Sequence, residues 1–183
     1  MLNKEERKSL IQLARNTIKA RLSRQPPPEY IPCSKALKVR SGAFVTLHKG
    51  GSLRGCIGLV QATKPLYETV REMAIAAAFE DPRFPPLSRD EFDDIDIEIS
   101  VMSPVRQISD VNEIEVGKHG IIIKRGFNQG LLLPQVATEQ GWDRNTFLEH
   151  TCYKAGLSGD CWQKPGTEIY IFSAEVFSEK ELF

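Results

Sequence analysis

Residues Ala43–Gly58, AFVTLHKGGSLRGCIG, decide the fold. Ala43 to His48 has the composition of a strand, Lys49-Gly50-Gly51 supplies a turn, and Ser52 to Val60 returns as a second strand, so the segment is predicted to be a β-hairpin. Period-two alternation would put Arg54 and Cys56 on one face of the second strand, with Leu53, Gly55, Ile57 and Leu59 on the other. Thr63-Lys64-Pro65 then opens a helix, with Leu66, Val70, Met73, Ala74 and Ala77 at helical spacing. Its cluster Ala74, Ala76, Ala77, Ala78 carries little bulk, so this helix can lie close to a sheet. The loop Asp81-Pro82-Arg83-Phe84-Pro85-Pro86 ends it, because Pro82 forces Asp81 out of the helical region. Ile95–Met102 follows as a third strand, with Ile95, Ile97, Ile99 and Val101 on one face and Asp96, Glu98 and Ser100 on the other.

Outward from this core the chain reads as a prelude and a looser repeat. Asn3 and Glu6 form a capping-box pattern that opens an amphipathic helix with Leu10, Ile11, Ala14 and Ile18 on one face. That helix should stop near Ser23, before Pro26-Pro27-Pro28 and an extended connector to about Val39. Beyond residue 118, Gly120–Lys124 and Gly130–Leu133 suggest a second hairpin around Gly126-Phe127-Asn128-Gln129. Pro134 opens a short helix that stops at Gly141. Asp143 caps another, with Phe147, Leu148, Cys152 and Ala155 inward and Gly156 as its stop. Thr167–Phe177 is the last strand. Hairpin, helix, strand, then hairpin, two helices, strand is an α+β pattern with mostly antiparallel pairing.

The 183 residues suffice for one domain or two closely joined subdomains, and 41% apolar with 26% charged residues is ordinary for a globular chain. Twenty-four basic residues balance 24 acidic ones, which disfavours general nucleic-acid binding. No apolar run approaches the roughly 20 residues needed to span a bilayer, and MLNKEERKSL lacks the apolar core of a signal peptide. Cys33, Cys56, Cys152 and Cys161 are therefore expected to be free thiols in a reducing cytoplasm.

Cys56 carries the sharpest chemical question. A guanidinium beside a thiol favours the nucleophilic thiolate, and Gly55 and Gly58 would let a ligand or another backbone approach the sulfur. Buried free cysteine also serves as plain packing, and strand glycines mark bulges or close helix contacts, so both readings stand. Of the three histidines, His48, His119 and His150, only His48 ends the strand paired with the cysteine's, and the register places it nearer Gly51–Leu53. Arg83 could pair with Asp81 or join Arg54 on an anion. Glu98 is a solvated strand residue or, facing a cleft, a base. Trp142 and Trp162 are core or lid aromatics. No Cys-x-x-Cys, His-x-x-x-His or phosphate-loop pattern occurs, so no metal or cofactor is expected.

Leu53-Arg54-Gly55-Cys56-Ile57-Gly58, the Ala-rich helix running into Asp81-Pro82-Arg83-Phe84, Ile97-Glu98-Ile99-Ser100-Val101, Leu132-Leu133-Pro134-Gln135-Val136, Gly141-Trp142 and Lys154-Ala155-Gly156-Leu157 occur in that order. Together they resemble the AMMECR family, whose microbial members are called AmmeMemoRadiSam system protein A. The resemblance runs from the first helix to Phe177. It implies a single curled, mostly antiparallel sheet built from two β-plus-α halves: one AMMECR-type domain over 1–183, or two subdomains with a seam near 103–118. It implies association with Memo-like and radical S-adenosylmethionine proteins and assigns no reaction. Arg54, Gly55, Cys56 and Gly58 are signature positions, whereas Asp81, Arg83, Glu98 and Lys154 match less distinctive motifs. Two functions are expected to compete. One binds a small anionic ligand or a partner's tail in a cleft lined by Arg54, Cys56 and Arg83, with Cys56 as nucleophile and Glu98 as base. The other is a non-catalytic adaptor in which the hexapeptide is structural. RNA binding in a local basic groove is a third and weaker expectation.

Overall fold

The computed structural model describes all 183 residues, and they divide into two compact units, Met1–Met102 with Glu175–Phe183, and Ser103–Ala174. The first unit opens with α1 (Lys4–Leu22), whose capping box is formed: the Asn3 side chain accepts from the Glu6 N–H, and the Glu6 carboxylate accepts from the Asn3 N–H. Leu10, Ile11, Ala14 and Ile18 are fully buried, the stripe expected from their spacing. Strands β1 (Ala43–Lys49) and β2 (Ser52–Leu59) form the hairpin. Lys49 pairs with Ser52 across a two-residue turn in which Gly50 (φ 57°) and Gly51 (φ 81°) take the left-handed backbone that such a turn demands. Helix α2 (Leu66–Phe79) packs on both strands, and β3 (Ile95–Met102) pairs antiparallel with β1. Val45, Leu47, Ile97 and Ile99 meet α1 and α2 in one apolar core that also takes Phe177, 1% exposed.

The second unit contains β4 (Arg106–Ile108), β5 (His119–Arg125), β6 (Asn128–Leu132), α3 (Pro134–Gln140), α4 (Arg144–Lys154) and most of β7 (Glu168–Ser178). Its core joins Ile121, Ile123, Phe147, Leu148, Ile169 and Ile171. The last residues of β7 and the short α5 (Glu179–Leu182) belong to the first unit. Strand order is β2-β1-β3-β7-β5-β6, with β4 on β7. The ladders of both hairpins, and those of β1 with β3 and of β7 with β4 and β5, are antiparallel. The α+β class with a mostly antiparallel sheet is thus the observed one.

Two elements, β4 and α5, have no counterpart in the sequence reading, being three and four residues long. The four-thiol expectation is corrected. Cys152 and Cys161 form a disulfide with Cα atoms 5.8 Å apart, and only Cys33 and Cys56 are free. Helix α4 and the turn after it bring together two cysteines nine residues apart, which spacing alone does not reveal. With the bond formed, cysteine usage no longer points to a reducing compartment. No helix is long and apolar enough to cross a membrane.

Candidate functional site

A bulge reorganises the LRGCIG strand. Leu47 pairs with Gly55 but His48 pairs with Leu53, so Arg54 is the extra residue of β2. The expected shared face of Arg54 and Cys56 is therefore corrected: Leu53, opposite His48, shares the face of Cys56, which lies opposite Thr46. Arg54 is 8% exposed and is engaged elsewhere. Its Nε and Nη2 each donate at 3.0 Å to the two oxygens of Glu91, and Nη2 donates to the Pro85 carbonyl at 3.0 Å. This bidentate pair holds the Glu91 carboxyl well below the usual carboxylate range. Lys49 Nζ and the Ser88 N–H also donate to Glu91. Arg54 thus ties the bulge to the loop after α2 and is not the partner of the thiol.

The glycines of the strand close against protein. A Cβ on Gly55 would overlap the Ala77 carbonyl, so its absence lets the Ala-rich helix lie directly on β2. A Cβ on Gly58 would overlap the ring of Phe44. Both residues shape the sheet around the cysteine.

The loop after α2 then clasps the edge strand at Cys56 itself. The Cys56 N–H donates to Asp81 Oδ2 at 2.9 Å, and Arg83 Nη2 donates to the Cys56 carbonyl at 3.2 Å. Asp81 and Arg83 are themselves paired: Nη2 to Oδ2 at 2.7 Å, and Nε and the Arg83 N–H to Oδ1 at 3.0 and 3.1 Å. The Asp81 side chain is 2% exposed, and its bonds from Arg83 hold its carboxyl far below the ordinary range despite that burial. Since β2 is an edge strand, this ion pair takes the place of a further strand at one residue. The outer side of Arg83 stays in solvent, its side chain 55% exposed.

The row that Cys56 occupies on the face away from the core is polar, although Leu53 and Phe44 stand in the rows on either side of it. Cys56 pairs with Thr46 and Thr46 with Glu98, so the three stand in one row across β2, β1 and β3. The Thr46 hydroxyl donates to Cys56 Sγ at 3.2 Å, and the cysteine is half-buried. Burial pushes the Glu98 carboxyl above its usual value, partly offset by His48, which stands with Leu53 and Asp96 in the next row. The structure therefore brings Cys56 and Glu98 into one row and takes Arg54 out of it. Lys154 is exposed in the last turn of α4.

Thr46 and Glu91 escaped the sequence reading. Thr46 looked like an ordinary strand residue, and only pairing places it between the thiol and the carboxylate. Glu91 had a legible signal: Ser88-x-x-Glu91 is a capping-box pattern, and Ser88 does donate to it.

A family model described as AMMECR1 matches residues 11–177. A protein of Methanothermobacter thermautotrophicus is 46% identical, over 97% of this chain and 96% of its own length. Protein MK0488 of Methanopyrus kandleri is 47% identical, over 98% of this chain and 91% of its own. The crystal structure of the uncharacterised protein PH0010 from Pyrococcus horikoshii superposes with a TM-score of 0.86 at 39% identity, covering 98% of this chain and 94% of that one.

Proposed function

The chain belongs to the AMMECR1 family, and we propose that it is a cytoplasmic component of a modification system shared with Memo-like and radical S-adenosylmethionine proteins, using Cys56 as a nucleophile on a small ligand or a partner's tail. The observation that carries this reading is the row Cys56–Thr46–Glu98, polar and half-buried on a strand face. A hydroxyl donating to sulfur stabilises the developing thiolate. Glu98, raised by burial, suits proton transfer near neutral pH better than an exposed glutamate does. Two strand spacings separate the Cys56 and Glu98 backbones by about 10 Å, so for Glu98 to act as the base the Thr46 hydroxyl must turn from the sulfur to the carboxylate, accepting the thiol proton as it gives up its own. Sulfur attacks an electrophilic acyl carbon, the S–C bond forms as the bond to the leaving group breaks, and Glu98 returns the proton to that group. Arg83, with its outer side in solvent, is the cation left to meet an anionic group on the ligand.

Alkylation by iodoacetamide across pH, read by mass spectrometry, tests the reading. Native protein should be modified at Cys56, and Glu98→Gln should slow that modification. A Cys56 that stays unmodified while Cys33 reacts would overturn it.

The engagement of Arg54 by Glu91 and of Gly55 by Ala77 favours a second reading, a non-catalytic adaptor whose hexapeptide is structural. Full function of a Cys56→Ser strain, with partners still co-purifying, would select it.

A further inference from the structure

The second unit carries a pocket on which the reading above does not depend. Asn145, Glu149 and Tyr153 follow one another at four-residue intervals on α4 and so form one stripe along the helix. The chain turns back after the helix, and Gly159, Asp160, Trp162 and Gln163 line the opposite side of a concavity of about 450 Å³. Two features build it. The Cys152–Cys161 disulfide fastens the returning segment to α4. Gly159 also lies so close that a Cβ would come within 2.7 Å of both Glu149 Cγ and Tyr153 Oη.

The charges inside are unequal. Asp160 is answered by Lys164 at 2.9 Å. Glu149 receives only the Tyr153 hydroxyl, which donates to its Oε1 at 2.7 Å and leaves its negative charge without a basic partner. An uncompensated carboxylate walled by Tyr153 and Trp162 suits a weakly hydrated organic cation. The rings attract positive charge through their faces and the carboxylate supplies the counter-ion. No grouping of His, Cys, Asp and Glu here could hold a metal ion, so the aromatic walls decide the class. We infer that this pocket binds a methylated ammonium group, with the cation against Trp162 and Tyr153 and its charge answered by Glu149.

Tetramethylammonium chloride is the probe, followed by tryptophan fluorescence in a Trp142→Phe background so that Trp162 alone reports. A saturable change should appear that sodium chloride at equal ionic strength does not produce. Ammonium chloride, more strongly hydrated, should bind more weakly. Glu149→Gln keeps an acceptor for Tyr153 and so should fold. It should weaken binding about three- to tenfold. A response equal to that of sodium chloride, or unchanged saturation in a folded Glu149→Gln protein, would overturn the inference.

Discussion

The two halves of the chain share a scaffold and differ on one of its faces. In each, a hairpin is followed by a helix that packs on it and by a strand that pairs with the first hairpin strand. In each, a glycine in the second hairpin strand sits under helix backbone: Gly55 under the Ala77 carbonyl, Gly130 under the Thr151 carbonyl and the Ala155 N–H. Aligning the halves on these glycines also aligns their rows. The row Cys56–Thr46–Glu98 of the first half then corresponds to Leu131–Ile122–Tyr170 of the second. One neighbouring row is matched as well, with Leu47 and Ile97 in the first half equivalent to Ile123 and Ile169, all apolar and buried. The inward face is thus set by packing and comes out alike twice. The opposite face differs, and only the first half places a thiol, a hydroxyl and a carboxylate there, where the second has the buried Ile122. The sulfur chemistry divides the same way, with a free Cys56 in one half and a disulfide in the other.

The most severe way to break this parallel is to add a methyl group under each helix. Gly55→Ala and Gly130→Ala should each cost about 3 kcal/mol, the upper end for overpacking, because the neighbour is backbone and cannot swing aside. Chemical denaturation measures both. If only one variant is destabilised, the two glycines are not equivalent.

A smaller effect should separate the halves by pH. Asp81 and Glu91, both in the first unit, have depressed carboxyl pKa values through their arginine partners. For a group held lower in the folded state, the stabilisation is complete above the unfolded value and is lost as pH falls. Stability should therefore decline below roughly pH 4. Glu98 has the opposite sign, since its raised value means that protonation on acidification favours the folded state. Glu91→Gln should cost about 2 kcal/mol at pH 7, less than a fully buried pair, because Glu91 keeps 21% exposure and Lys49 can turn to solvent. It should also flatten the acid limb. An acid limb equally steep in Glu91→Gln would show that other carboxylates govern it.

The smallest effect sharpens the comparison of the rows. Thr46→Val makes the first row resemble the second. It should change stability by less than about 1 kcal/mol, since one half-buried hydrogen bond to sulfur is lost. It should nonetheless slow alkylation of Cys56 several-fold at pH 7. An unchanged alkylation rate would leave Thr46 as packing alone.

Much of this scaffold was legible in the sequence because its signals are local. The Asn3–Glu6 capping box, the Gly50-Gly51 turn and the alternation of Ile95–Met102 each need only a few residues to be read, and each element lies within a residue or two of its expected bounds. The site was legible only in part. Cys56 and Glu98 could be named from their strands, but what joins them is Thr46, through pairing between strands distant in sequence. Arg54 was misplaced for a related reason: a bulge inserts one residue without any change in composition, and every face assignment on one side of it reverses. The disulfide followed from a turn in space that no cysteine spacing encodes.

Strand β7 changes its allegiance part-way. Its residues to Ala174 belong to the second unit, while Glu175 onward return to the first, where Phe177 fills the core, Glu175 pairs with Arg7 and Glu179 with Arg15. During synthesis the first unit therefore waits with an open apolar flank while some 70 residues of the second are made, a count that follows from its span of 103–174. The half that carries the free thiol is the half whose assembly depends on a distant segment, and its most non-local contacts are the last to become available.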